Sequence, residues 1–210
     1  MSVLAGTAVG QRFRLPAGGV AVGRIRGAIL FPDDPYVSGH HASLLVRDGR
    51  LYVRDETSAS GVFVSVNGQE AVAPHTYFAT GSRLFHFAGS IEPRSPAPGH
   101  PLPYGAPLQS HQPLYCVEEV LVGNRAGRAM VSAGQSLTIG QANCDLSYPS
   151  DADMAPRHCE LALQPNGATL RDLSGALGTF VRLSPGTERL LKAGDRLRIG
   201  QQLLQVEAIA

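Results

Sequence analysis

Apolar positions along this chain fall in short alternating runs, not in long helical stripes. Arg12-Phe13-Arg14-Leu15, Leu51-Tyr52-Val53 and Val62-Phe63-Val64 are bounded by Gly, Asp or Asn, a pattern that predicts β-strands. Leu161-Ala162-Leu163, Thr169-Leu170-Arg171 and Leu197-Arg198-Ile199 repeat the style. Asn67-Gly68 and Asn166-Gly167 predict tight hairpins, because both residues tolerate the left-handed backbone of a type I′ turn. Many short strands separated by turn residues predict an all-β sandwich or barrel.

The chain also repeats itself. Adding 117 to a residue number carries Gly10 to Gly127, Gly23 to Gly140, His41 to His158, Asp55 to Asp172, Gly61 to Gly178, Phe63 to Phe180 and Val64 to Val181. A constant offset without insertion is the signature of a duplicated unit. Beyond it, Thr80-Gly81-Ser82-Arg83-Leu84 matches Ala193-Gly194-Asp195-Arg196-Leu197 at an offset of 113, which predicts one hairpin loop shorter by four residues. Between the copies, Pro96, Pro98, Pro101, Pro103, Pro107 and Pro113 lie among Ser, Gly, His and Gln, the composition of an extended linker.

Composition sharpens this picture. At 210 residues the chain suits two domains of roughly 100 residues. Its 24 glycines and 15 prolines exceed the roughly 12% of an average chain and favour turns. A net charge of +1 and the lack of Lys/Arg runs predict no nucleic-acid partner. No apolar run approaches the roughly 18 residues of a membrane span and no secretory leader is evident, so no membrane partner and a cytoplasmic location are expected. Cys116, Cys144 and Cys159 are odd in number and form no C-x-x-C pair, so reduced structural thiols are expected. Cys144, His158 and Cys159 offer zinc-compatible atoms, but adjacent His-Cys is unusual for structural zinc, and no metal or cofactor is expected. Asp33 and Asp34 between Pro32 and Pro35 read as ordinary turn residues, and His40 as a solvent-facing neighbour of His41. No nucleophile elbow or phosphate-binding glycine loop follows a strand, so no enzyme is expected.

Chemistry concentrates in three islands of the first copy: Gly23-Arg24, Ser38-Gly39-His40-His41, and Ser58-Ala59-Ser60-Gly61 running into Val62-Phe63-Val64. A guanidinium and short donors suit a phosphorylated side chain, which carries about −1.5 to −2 charges and three acceptor oxygens. The ordered set resembles the forkhead-associated (FHA) domain, with its Gly-Arg pair, Ser-x-x-His loop and Asn-Gly pair entering a strand. The resemblance implies two FHA-like β-sandwich (SMAD/FHA-type) domains in tandem: an FHA domain over residues 1–92, a Pro-rich linker over 93–114 and a degenerate FHA-like domain over 115–210.

It further implies that Arg24, Ser38, Gly39, Ser58 and Ser60 contact a phosphopeptide while Gly23, His41 and Gly61 support the site. The implied protein is a non-enzymatic phosphothreonine-peptide-binding adaptor. Its partner would be a threonine-phosphorylated protein or peptide downstream of a serine/threonine protein kinase. Gly39 and Ala59-Ser60 depart from the family's basic or amidic residue and its Thr-Asn, which reduces expected contacts to the peptide backbone. The second copy has Gln141, Ala155 and Leu177 at the arginine, serine and asparagine positions but keeps His158 and Gly178. A structural or protein-contact role is expected there, with Arg157 as a potential substitute cation. The alternative is a phosphate-independent scaffold or assembly protein built from two FHA-like folds.

Overall fold

The computed structural model describes residues 1–91, 98–99 and 113–207, and among them forms nineteen strands and no helix. The first repeat supplies β1 (Ser2–Ala5), β2 (Val20–Gly23), β3 (Ile29–Leu30), β4 (Ala42–Arg47), β5 (Arg50–Asp55), β6 (Val62–Ser65), β7 (Gln69–Val72), β8 (Thr76–Thr80) and β9 (Arg83–Ile91). From the second come β10 (Leu114–Leu121), β11 (Arg125–Ser132), β12 (Ser136–Gly140), β13 (Leu146–Ser147), β14 (Cys159–Gln164), β15 (Gly167–Asp172), β16 (Thr179–Arg182), β17 (Glu188–Leu191), β18 (Arg196–Ile199) and β19 (Gln202–Gln205). The linker expected over 93–114 lies outside the described residues except for Pro98, Gly99, Pro113 and Leu114, and Leu114 already begins β10.

Local turn chemistry explains several of these elements and corrects others. The β4–β5 hairpin closes over Asp48-Gly49, both left-handed at φ 50° and 70°, as a type I′ turn requires. In the β14–β15 hairpin Gln164 pairs with Gly167, so Pro165 and Asn166 make the turn. Arg12–Leu15 forms no strand: Arg12 makes one bridge to Ser2, while Phe13 and Leu15 pack as loop residues against the core.

Asn67-Gly68 closes no hairpin either, because β6 pairs with β18 and β16 while β7 pairs with β15. The domain boundaries are corrected accordingly. Contiguous domains over 1–92 and 115–210 are not the compact units of the structure. One unit comprises Met1–Asn67 with Phe180–Ala210, and the other Gly68–Thr179. The physical reason is strand pairing: β17 of the second repeat adds to β5 of the first, and β7 of the first adds to β15 of the second. Each unit is therefore built from both repeats.

In the first unit one sheet runs β17-β5-β4-β2-β3, and the strands β1-β19-β18-β6-β16 are hydrogen-bonded in that order. Val22, Leu44 and Val53 from the first repeat join Leu197, Ile199 and Leu204 from the second in one core, each without exposed surface. Alternation places Leu197 opposite Val64 and Ile199 opposite Val62 in the β18–β6 pair, so both strands turn one apolar face inward.

In the second unit one sheet runs β13-β12-β14-β15-β7, and β8-β9-β10-β11 pair in sequence. Its buried residues include Phe78, Phe85 and Phe87 with Val117, Leu137, Ile139, Leu161 and Leu170. Phe78 and Phe85 stack with centroids 5.4 Å apart. Both units are β-sandwiches of the FHA type.

The exchanged hairpins also correct the offset of 113. Gly81 and Gly200 share φ 58°, and a Cβ on either would press on a loop carboxylate, Asp151 or Asp34 respectively. The matching offset is thus 119, and the second repeat is longer by two residues in the connection over 183–187.

Candidate functional site

Three loops of the first unit meet at one end of the β2, β4, β5 and β6 strands. Gly23 ends β2 where no side chain fits: a Cβ would lie 2.3 Å from the Gly39 carbonyl oxygen and 2.6 Å from that of Arg26. This close approach lets Arg24 N–H donate to the Ser38 carbonyl at 2.9 Å, and lets Ile25 and Arg26 N–H donate to the Gly39 carbonyl at 3.2 and 2.9 Å. The first two loops are thereby stitched along their backbones.

His41 ties in the third. Its side chain has no exposed surface. Its Nδ1 accepts from Ser38 N–H at 3.0 Å, which places the ring proton on Nε2, and Nε2 donates to the Gly61 carbonyl at 3.1 Å. Burial lowers its pKa below the ordinary 6.5, partly offset by the bond to Gly61 and the charge of Asp55. The neutral ring is thus a fixed brace. Within the third loop, Asp55 Oδ1 accepts from Ser58 N–H at 2.9 Å and Ser58 Oγ accepts from Gly61 N–H at 3.0 Å. Gly61 takes φ 85°, a left-handed conformation that glycine adopts without strain.

Arg24, Pro35, Tyr36, Val37, Ser38, Ala59 and Ser60 line a concavity of about 300 Å³. Arg24 is exposed at its edge. Ser38 Oγ accepts from Ala59 N–H at 3.0 Å, so a lone pair is occupied and the hydroxyl proton remains to donate outward. Ser60 Oγ donates to the Tyr36 carbonyl at 2.7 Å, locking the third loop to the second. A guanidinium beside an oriented hydroxyl favours an anion over a neutral ligand.

The structure sorts the residues expected to contact ligand. Arg24, Ser38 and Ser60 come together on the concavity. Ser58 is not brought there, because it is buried and its hydroxyl is spent on the loop's own backbone. Gly39 does not line it either, its carbonyl holding Ile25 and Arg26. Gly23, His41 and Gly61 lie beneath the loops. Sequence reasoning missed Tyr36, 53% exposed on the wall, although an aromatic residue between Pro35 and Val37 in a loop is a readable signal. It also misjudged Asp34, which is completely buried and accepts from Tyr36 N–H at 3.0 Å, and from Gln201 N–H and Gln202 Nε2 at 2.8 Å each.

In the second unit the same scaffold recurs without the donors. Gln141 N–H donates to the Ala155 carbonyl at 3.0 Å, and His158 bridges Ala155 N–H at 3.0 Å and the Gly178 carbonyl at 3.1 Å. The Gln141 side chain donates to the Asp151 carbonyl at 2.7 Å. Arg157 pairs with Glu160 at 3.5 Å on the exposed surface instead of standing in for the missing arginine. Both His158 nitrogens are committed to backbone groups, which removes that residue from any zinc site with Cys144 and Cys159. Burial raises the pKa of all three thiols, so none is activated as a nucleophile. Among the described residues no three His, Cys, Asp or Glu cluster as a metal site, and no helix is long and apolar enough to cross a membrane.

A search of curated proteins finds no match to this chain. The family model of the FHA domain matches residues 20–82 and 131–200, more than half of the chain. Each matched stretch contains one buried histidine brace, His41 or His158, with its loops. FHA domains are generally phosphothreonine-binding modules of protein interaction. The chain belongs to the FHA domain family.

Proposed function

We propose that the protein is a cytoplasmic phosphothreonine-peptide-binding adaptor, docking a partner phosphorylated by a serine/threonine kinase pathway through the first unit. The carrying observation is that Arg24 and Ser38 line one open concavity, with the Ser38 hydroxyl oriented by Ala59 N–H. Arg24 engages phosphate oxygens through its planar fork, and Ser38 adds a short donor. Tyr36 and Pro35 provide an apolar wall for the peptide. No catalytic step is assigned to either unit.

The test is fluorescence anisotropy of the full chain with a degenerate peptide library centred on phosphothreonine and its unphosphorylated counterpart. Phosphate-dependent binding is expected. Arg24→Ala removes a charge-assisted contact of about 1.5 to 3 kcal/mol and weakens it roughly 10- to 150-fold. Equal affinity for both libraries would eliminate the proposal. One observation favours a phosphate-independent contact role for the second unit: Leu121 and Val122, adjacent at the β10–β11 turn, are 40% and 85% exposed.

A further inference from the structure

The first repeat carries the phosphate-binding loops, but it does not hold them alone. Asp34 anchors the loop that runs through Tyr36 and Val37 to Ser38. One carboxylate oxygen takes Tyr36 N–H, and the other takes Gln201 N–H and Gln202 Nε2, both from the β18–β19 hairpin of the second repeat. Gln202 is itself fully buried and fully engaged: its Oε1 accepts from Ala8 N–H at 3.1 Å and its Nε2 also donates to Thr7 Oγ1 at 2.9 Å. Gly200 lies in the β18–β19 turn, where a Cβ would lie 2.6 Å from Val37 and 2.8 Å from Asp34. On the third loop, a Cβ at Gly61 would meet Arg182 Nε at 2.2 Å, so the β16 side chain from the second repeat lies directly over that turn.

The same device operates in the opposite direction. Asp151 in the second unit accepts from Ser82 Oγ at 2.8 Å and from Ser82 N–H at 3.3 Å and forms an ion pair with Arg83 at 3.2 Å, all from the β8–β9 hairpin of the first repeat. Gly81 takes the place of Gly200, packed on Asp151 and Met154. Two independent instances make reciprocal exchange of the terminal hairpins a property of the fold.

We propose that residues 180–207 of the degenerate repeat are an obligate part of the first repeat's binding site, with Gln202, acting through Asp34, as a positioning residue; the site's ligand rests on the phosphate reading above. The second repeat has Gln141 and Ala155 in place of its own donors, yet its last strands complete the working unit. Phosphate recognition in the first unit depends on a hairpin that never touches the phosphate.

The test uses the full chain with a protease recognition sequence inserted after Gly99. After complete cleavage the two fragments are expected to co-elute in size exclusion as one species near the 22.2 kDa of the intact chain. They should also retain affinity for the phosphothreonine peptide library. Separation into two half-mass species overturns the exchange, whatever the ligand. A double-mutant cycle then tests positioning. Gln202→Leu is expected to weaken phosphopeptide binding about tenfold, and to add nothing in an Asp34→Asn background. The mirror-site control Ser82→Ala should leave affinity unchanged. Additive losses, or no loss in Gln202→Leu, overturn the role of Gln202. Wild-type protein that ignores phosphorylation overturns the phosphate reading, while co-elution still decides the exchange.

Discussion

Replacing His41 by alanine separates the scaffold's role in folding from its role in binding, because His158 provides a matched control. The His41 imidazole is buried and bridges Ser38 N–H and the Gly61 carbonyl at 3.0 and 3.1 Å, and His158 bridges Ala155 and Gly178 at the same two distances. Alanine at either position leaves a donor and an acceptor without their partner, at about 1 to 3 kcal/mol for each buried group, and opens a cavity the size of the ring. Ser38 and Ala155 are only half-buried, so water recovers part of the loss there. A total near 3 to 5 kcal/mol follows for each variant, a large share of the roughly 5 to 15 kcal/mol that holds a domain folded. Each unit contains strands of both repeats, so both substitutions should shift one shared denaturation transition by similar amounts. Their effects on ligand should differ. His41→Ala frees Ser38 and the Ala59–Gly61 turn and should weaken phosphopeptide binding by tenfold or more under conditions where the variant remains folded, while His158→Ala should leave affinity unchanged. Urea denaturation followed by tryptophan-free probes such as circular dichroism, paired with anisotropy at low denaturant, reads both quantities. A His158→Ala variant that loses as much affinity as His41→Ala would refute the assignment of the site to the first unit.

Further outcomes follow from the same geometry. Burial lowers the pKa of His41 and His158 below 6.5 in the folded protein, so on acidification the unfolded chain takes up protons first. Stability should therefore be complete above pH 6.5 and fall as pH drops from 6.5 towards the lowered folded values; a denaturation midpoint that rises between pH 7.5 and 5.5 contradicts this. Gly23→Ala forces a Cβ against the backbone oxygens of Gly39 and Arg26, and Gly140→Ala forces one to 2.2 Å from the Pro156 oxygen. Each should cost about 1 to 3 kcal/mol in the denaturation midpoint, and only Gly23→Ala should weaken phosphopeptide binding. Gln141→Ala, at the degenerate arginine position, should leave anisotropy titrations unchanged. Arg24→Lys keeps the charge and loses the planar fork, so titration should place its affinity between wild type and Arg24→Ala.

The sequence made the site more legible than the architecture, and the reason is physical range. Gly23, His41 and Gly61 lie in or beside the loops they brace, and each recurs 117 positions later, with the histidine-to-glycine-carbonyl bond kept at 3.1 Å. Short spacing preserved that information. Ser58 was misassigned because an exposed-looking hydroxyl can turn inward to hold its own turn, as the bond from Gly61 N–H shows. The exchange of hairpins was harder to see for a different reason. Duplication makes β5 and β15 equivalent, so the alternation of β7 fits either as a pairing partner, and side-chain pattern alone carries no preference between them. What decides is the connection. Val64 and Val181, equivalent residues of the two repeats, pair with each other across β6 and β16; the chain leaves the first unit after Asn67, just past β6, and returns to it at Phe180, at the start of β16. Asn67, whose neighbour Gly68 suggested a reversal, instead donates to Asp195 at 2.6 Å and lets the chain continue. A duplicated sequence thus fixes what each strand resembles but leaves open which copy it completes, and that choice rests with a few connecting residues. The second repeat has Gln141 and Ala155 where the first has Arg24 and Ser38, while its last strands, β16 to β19, are hydrogen-bonded into the first unit.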